Sequence, residues 1–403
     1  MRFNFISINP DTLSLSGHFF FYDWNLEDKC TLYNLEFYSL CWKNTPLEII
    51  QSHPKFIPTF SDHSWAIGNQ GLGGVKQEVL KKFSLELNDA LGKIHNGKEQ
   101  TFLYMYTGSL EHAEIITDIA FRQDNIAVNI NLFWLPFVDI DSDKFRIKWK
   151  TFLKMVNQSS KIKLTVTTTE MKESIYKIFG LKFDVAPHPS TLFSDKDFVN
   201  LKTKDKQIQF NTHLHDCDKE VVVLFPGRGG KDKQIIDKGY LLSTKITKEL
   251  LSTAQSYSYR CFMRKVDAGS NELKQAINDL NGLVHFFDDT LSQPNLIKLI
   301  QSANIIVIPY SETAFSQRTS GLFTDSLYLG KPIVALKGTW MGNRIEEFNC
   351  GLVAETSSSS SFSTAINDVA QNYSFYKKNA LKAGFTWFTS NSWLSLFSSL
   401  LEL

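Results

Sequence analysis

Short apolar, β-rich runs alternate with amphipathic stretches along almost the whole chain. In the first half the runs at Phe3–Ile8, Leu35–Cys41, Thr101–Tyr106, Ile126–Phe133 and Lys163–Thr167 have the length and residue types of buried strands. Between them, Val75–Ile94, Glu111–Phe121 and Asp143–Val156 place apolar residues at helical spacing. Strands separated by helices of this length require crossover connections, and crossovers imply a parallel sheet covered on both faces. The second half restarts the pattern at Val221–Phe225. A helix is predicted from Tyr240 to about Ala254, then strands at Tyr257–Met263, Val284–Phe287, Ile305–Pro309 and Ile333–Leu336, and a helix at Phe362–Gln371 behind the serine run Ser357–Ser361. Trp387–Leu403 reads as a terminal helix with one apolar face.

The expected class is therefore α/β, with two successive Rossmann-like domains. Between the halves lies a polar, strand-poor stretch that starts just after Pro187-His188-Pro189, where neither proline favours helix. The domains are placed at 1–195 and 219–385, joined by a linker at 196–218, with 386–403 a terminal helix expected to pack back on the first domain. At 403 residues the chain is too long for one ordinary core, in keeping with two. Open parallel sheets bind ligands beyond the carboxyl ends of their strands, so a ligand cleft is expected there, between the domains.

Composition narrows the function classes. Lys and Arg number 43 against 42 Asp and Glu, a net charge of +1, and no basic stripe for a nucleic acid is found. The five cysteines are scattered and in no C-x-x-C spacing, which favours idle thiols over a disulfide framework or a zinc site. The opening MRFNFISINP lacks the apolar core of a signal peptide, and the charge-free stretch Asn125–Val138 is too short to span a bilayer, which takes about 20 residues. A cytoplasmic protein is expected, with any membrane contact peripheral.

Two loops carry candidate chemistry. The first is Phe225-Pro226-Gly227-Arg228-Gly229-Gly230, directly after a strand, followed by Lys231, Lys233 and Lys238-Gly239 before a helix. Glycines let backbone N–H groups approach an anion, a helix start presents free donors, Arg228 can grip phosphate oxygens bidentately and Lys238 adds a point charge. Taken alone, the turn is equally compatible with a basic loop that binds nothing. It lacks the G-K-[ST] of a P-loop and the G-x-G-x-x-G of dinucleotide binders, which argues against a dehydrogenase. The second is the polar loop Tyr310–Arg318 and the helix that follows, with Thr319 or Ser320 as its cap, Gly321 in its first turn, Asp325 farther in and Gly330-Lys331-Pro332 at its end. The open helix start suits a diphosphate, and Asp325 a pair of ribose hydroxyls; a solvated helix carboxylate is the plainer alternative.

This second segment resembles the donor-binding motif of glycosyltransferase family 4, the group 1 glycosyltransferases of GT-B fold. In that family two acidic residues eight apart precede an E-A-x-x-x-G-K-P-V-V phrase. Asp325 stands where the family has its second glutamate, so the resemblance implies ribose binding there. Gln317 falls on the first glutamate, which contacts the donor sugar, and cannot supply a charge. Arg228 and Lys238-Gly239 match the family's G-R…K-G phosphate pair, with Gly229–Asp237 as an extra stretch between them. The resemblance implies two facing Rossmann-like domains, a nucleotide-sugar donor that is a substrate with no cofactor, and metal-independent transfer, usually with retention, to a glycan or lipid-linked hydroxyl in surface polysaccharide or glycoconjugate assembly.

By the same resemblance Gly17 and His18, in the loop after the first strand, lie near the donor phosphates together with Gly227, Arg318, Thr319, Ser320 and Gly321. Arg228, Lys238, His112 and Gln317 become catalytic candidates. Tyr106 and Glu111, flanking the loop Thr107–Leu110, fall on the sugar or acceptor side. A histidine in a first helical turn is more often structural, and that alternative stays open for His112. His213, His215, Asp216 and Cys217 are metal-ligand types, but their linker position favours a solvated loop. Two other readings remain: a GT-B scaffold without turnover, favoured by Gln317, and nucleotide-sugar epimerisation.

Overall fold

In the computed structural model the apolar runs of each half lie side by side as one sheet. The structure describes residues 3–12, 18–63, 77–95, 98–133, 143–201, 220–227, 232–252, 257–265, 269–287 and 291–402. The chain forms two units, one of Met1–His188 with Trp393–Leu403, the other of Pro189–Ser392.

The first unit holds seven strands: β1 (Phe3–Asn9), β2 (Glu36–Trp42), β3 (Phe56–Phe60), β4 (Gln100–Gly108), β5 (Ile126–Leu132), β6 (Ile162–Val166) and β7 (Asp184–Val185). They pair in the order β3-β2-β1-β4-β5-β6-β7, every pair parallel. Because side chains alternate across a strand, β1 and β4 each serve two cores. Ile6, Ile8, Leu103 and Met105 join the aliphatic core under the helices Gln77–Ile94, Leu110–Arg122 and Asp143–Asn157. Phe5, Phe102 and Tyr104 join an aromatic core with Phe19–Tyr22 of the helix His18–Leu32. The helix Trp393–Leu401 completes that second core: Trp393 meets Tyr22 edge-on at 4.7 Å between ring centroids and Phe397 lies 5.7 Å from Phe5. Burying such rings at about 25 cal/mol per Å² is what ties the chain's last helix to its first half.

The second unit holds β8 (Glu220–Phe225), β9 (Ser258–Arg264), β10 (His285–Phe287), β11 (Ile305–Ile308), β12 (Ile333–Leu336) and β13 (Gly351–Ala354), in the parallel order β10-β9-β8-β11-β12-β13. Val221, Val223 and Val307 point to one buried core, and Leu224, Ile306 and Ile308 to the other. The helix Gly321–Tyr328 packs on the long helix Tyr373–Asn391 at close range, since a Cβ on Gly384 would sit 2.2 Å from the Leu327 carbonyl oxygen.

Several placements differ from the sequence reading. β3, β7 and β13 went unpredicted, being short, half polar or begun by glycine. The expected single terminal helix is two helices, Tyr373–Asn391 and Trp393–Leu401, with Ser392 in extended backbone between them. The chain enters the second unit at Pro189, so 189–195 belongs there and not to the first domain. Of the expected linker, residues 196–201 are helical and 202–218 lie outside the described residues, as do His213, His215, Asp216 and Cys217.

Candidate functional site

The order of the second sheet reverses between β8 and β11: from β8 the chain winds outward to β9 and β10, and from β11 the other way to β12 and β13. Such a reversal opens a crevice at the carboxyl ends of the two strands. Both candidate loops end there. Gly239 adopts φ +64°, and a Cβ on it would lie 2.0 Å from the Pro309 carbonyl oxygen, so only glycine lets the turn before the helix Tyr240–Ser252 reach the end of β11. The Ser311 amide donates to the Asp237 carbonyl at 2.8 Å, and the Tyr240 hydroxyl donates to the Gly227 carbonyl, which fastens the two loops to each other.

Phe225, Gly227, Lys238, Tyr240, Arg264 and Tyr310 line a cavity of about 10 Å³ in this crevice, room for about one water. Burial pushes the Tyr310 phenol up to about 12, while Arg264 and Arg318 pull it the other way. Burial lowers the Arg318 guanidinium from its usual value, opposed by the charge of Asp237. Arg318 lies over the Phe315 ring at 4.8 Å and Arg264 over Phe287 at 5.4 Å. Lys238, Arg264 and Arg318 thus share one neighbourhood with Asp237, whose carboxylate also pairs with Lys233 at 3.1 Å. Arg264 escaped the sequence reading. It is the last residue of β9 and only 5% exposed, and a charge at the carboxyl end of the strand was the available signal.

The other expected donor residues stand differently. The helix does begin at Gly321 with Ser320 at its N-cap, but the Ser320 side chain makes no capping bond. Thr319 and Ser320 are buried, and Thr191 covers Gly321 closely enough that a Cβ there would lie 3.0 Å from the Thr191 hydroxyl. Asp325 requires a correction. It is neither a solvated carboxylate nor on an open face: it is 1% exposed and both oxygens are engaged within the second unit. Ser190 Oγ donates to Oδ1 at 2.5 Å, the Thr191 amide to Oδ1 at 3.2 Å and Thr191 Oγ1 to Oδ2 at 3.1 Å. Burial nevertheless pushes its carboxyl up to about 7, against the pull of those bonds. The carboxylate holds the segment where the chain enters the second unit. Gln317 is half-buried in the loop between β11 and this helix. Arg228 lies outside the described residues.

In the first unit, Tyr106 is 9% exposed, stacks on Tyr22 at 3.7 Å and shares a hydrogen bond of 3.3 Å with His188 Nδ1. His112 serves as a helix-cap residue. Its amide donates to Ser109 Oγ at 3.4 Å while its Nδ1 accepts from the Ser109 amide at 3.2 Å, and its ring meets Phe83 edge-on at 5.0 Å. It is fully buried, which lowers its pKa to about 3 and keeps the ring neutral. Glu111 borders a surface groove of about 430 Å³ with Leu80, Asp118, Phe121 and Phe152, lined by helix residues. Gly17 lies outside the described residues. His18 opens the helix His18–Leu32, and its side chain is likewise outside them.

No protein-family model matches the chain. No curated protein matches it either. Among solved structures it is similar to a glycosyltransferase from Rickettsia africae, at 12% identity and TM-score 0.64, over 100% of this chain and 97% of that one. HepE from Anabaena, in complex with UDP and glucose, is similar at 13% identity and TM-score 0.59, over 99% and 98% of the two chains. A sucrose-phosphate synthase from Thermosynechococcus elongatus is similar at 13% identity and TM-score 0.63, over 99% and 97%. The chain has the GT-B fold. At these identities the likeness speaks for the fold of two parallel-sheet Rossmann-like units and leaves the chemistry to the residues.

Proposed function

We propose that this protein is a glycosyltransferase that moves a sugar from a nucleoside-diphosphate donor to a hydroxyl on a glycan or lipid-linked acceptor. The observation that carries the reading is the gathering of Lys238, Arg264 and Arg318 around Tyr310 at the reversal point of the second sheet. A nucleoside-diphosphate donor is anionic, and Lys and Arg side chains of this kind are suited to its phosphate oxygens. HepE, which shares the fold, holds UDP, UDP-glucose, or UDP with glucose in its structures.

In the proposed reaction the bond between the anomeric carbon and the diphosphate oxygen breaks, and the electron pair leaves with the diphosphate. The acceptor oxygen bonds to that carbon and its proton passes to the leaving phosphate. Charge builds on the diphosphate in the transition state. Lys238 and Arg264, with Arg228 by resemblance, would meet it there, so the chain itself supplies the electrostatic stabilisation. Retention is the stereochemical course the resemblance implies, and surface polysaccharide or glycoconjugate assembly the proposed setting. The scaffold reading draws on Gln317 in place of an acid and on the engaged carboxylate of Asp325. A panel of nucleotide-sugars separates the two: transfer or slow donor hydrolysis supports the enzyme, and nucleotide binding with neither supports the scaffold.

A further inference from the structure

The helix Tyr373–Asn391 has two faces of opposite character. At 100° per residue, Ala380, Ala383 and Gly384 fall on one side, and all three are buried against the second unit. Phe375, Lys378, Lys382, Phe385 and Thr389 fall on the other, within a stripe about 80° wide. All five are exposed, Phe375 by 55% and Phe385 by 56%. Small residues on the inner face let the helix sit close to Leu327. That closeness leaves the outer phenyl rings no core to enter.

Charge along this helix is one-sided. Its 19 residues, YSFYKKNALKAGFTWFTSN, contain Lys377, Lys378 and Lys382 and no acidic residue. Lys377 leans over the Tyr373 ring at 5.7 Å. Neither Lys378 nor Lys382 has an ion-pair or hydrogen-bond partner among the described residues. Asp368, on the preceding helix, acts on Tyr376 beside the stripe. The stripe thus runs aromatic, cation, cation, aromatic once along about 15 Å of solvent-facing helix.

We propose that this face is a membrane-surface contact, the phenyl rings of Phe375 and Phe385 entering the boundary between headgroups and acyl chains while Lys378 and Lys382 meet anionic headgroups. The charge favours an anionic partner, and the two exposed rings favour one with an apolar layer beneath its charge, which a bilayer has and a polyanion lacks. No described helix is long and apolar enough to cross a membrane, so this contact lies on the surface. The inference stands on its own evidence and survives whichever donor or acceptor the protein uses.

The test is co-sedimentation of the full chain with vesicles of phosphatidylcholine alone and of phosphatidylcholine mixed with phosphatidylglycerol. Binding is expected only to the mixed vesicles and should fall as salt rises. Each lysine near such a surface is worth about fivefold in partitioning, so K378Q/K382Q should lose on the order of twentyfold. Phe385→Trp should shift its emission to shorter wavelength on adding mixed vesicles but not neutral ones. These positions are exposed, so the variants should keep the parent's thermal midpoint, measured alongside. Equal binding to both vesicle types, no binding to either, or an unaffected K378Q/K382Q would overturn the proposal. So would vesicle-independent self-association, seen by sedimentation velocity, that Phe375→Ser abolishes, because the face would then bind a second copy.

Discussion

Asp325→Asn keeps the outline of the side chain and one carbonyl oxygen but removes the charge, and its effect on stability follows from the burial. The carboxyl rises from 3.8 to about 7 on folding, an ionisation penalty on the order of 4 kcal/mol. A raised carboxyl stabilises the fold in full below about pH 4, and this contribution is lost as pH climbs to about 7. Wild type should therefore lose on the order of 4 kcal/mol over that window relative to Asp325→Asn, with the two curves parallel above it. Asp325→Ala is different, because the Ser190 hydroxyl and the amide and hydroxyl of Thr191 all lose their acceptor, at about 1–3 kcal/mol for each buried donor. The assay is amide exchange of the 189–193 peptide with urea unfolding at pH 5 and pH 8. A wild-type curve parallel to that of Asp325→Asn across the whole range would refute the buried carboxylate. A second arm separates the anchor from a ribose ligand: Asp325→Asn should change the affinity for a nucleoside diphosphate and for its 2′,3′-dideoxy analogue by the same factor. A loss that vanishes with the dideoxy analogue would restore the ribose role.

Three other outcomes are expected. Gly239→Ala places a methyl 2.0 Å from the Pro309 carbonyl at a positive φ and should destabilise the second unit by more than about 2 kcal/mol, read from its unfolding midpoint. His112, at about 3 in the fold, stabilises above about pH 6.5 and loses that contribution as pH falls; His112→Gln should flatten the acid limb of the first unit's unfolding profile, a span on the order of 5 kcal/mol by pH 3. Lys238→Met and Arg264→Met should each weaken nucleoside-diphosphate binding by about tenfold to a hundredfold and reduce its salt dependence, measured by calorimetry.

Much of the fold was legible because both faces of each sheet are covered, so buried strands such as Ile305–Ile308 read as unbroken apolar runs. The elements that escaped notice lack that signal. Gly351–Ala354 starts with a glycine whose hydrogen lies against the Ile333 backbone, a contact no single-chain pattern announces. The long helix Tyr373–Asn391 hid because the middle of its buried side is Ala380, Ala383 and Gly384 while its exposed side carries Phe375 and Phe385, which blurs the usual amphipathic pattern. In the candidate site, Gly227, Lys238 and the loop after β11 were found from glycine and charge following a strand. Asp325 was assigned by position in a motif, and position says nothing about the tertiary partners Ser190 and Thr191, which lie 135 and 134 residues away. His112 shows the same limit at short range: a histidine three residues after Ser109 can serve the cap or the substrate, and only burial decides.

The most direct test of the central claim is a crystal structure of the chain with whichever nucleoside diphosphate of a binding panel it takes up best. The pyrophosphate is expected beyond the carboxyl ends of β8 and β11, with an oxygen in hydrogen-bonding reach of Lys238 Nζ and another near the Arg264 guanidinium. A pyrophosphate held elsewhere on the molecule, or a panel in which no nucleoside diphosphate binds, would contradict it.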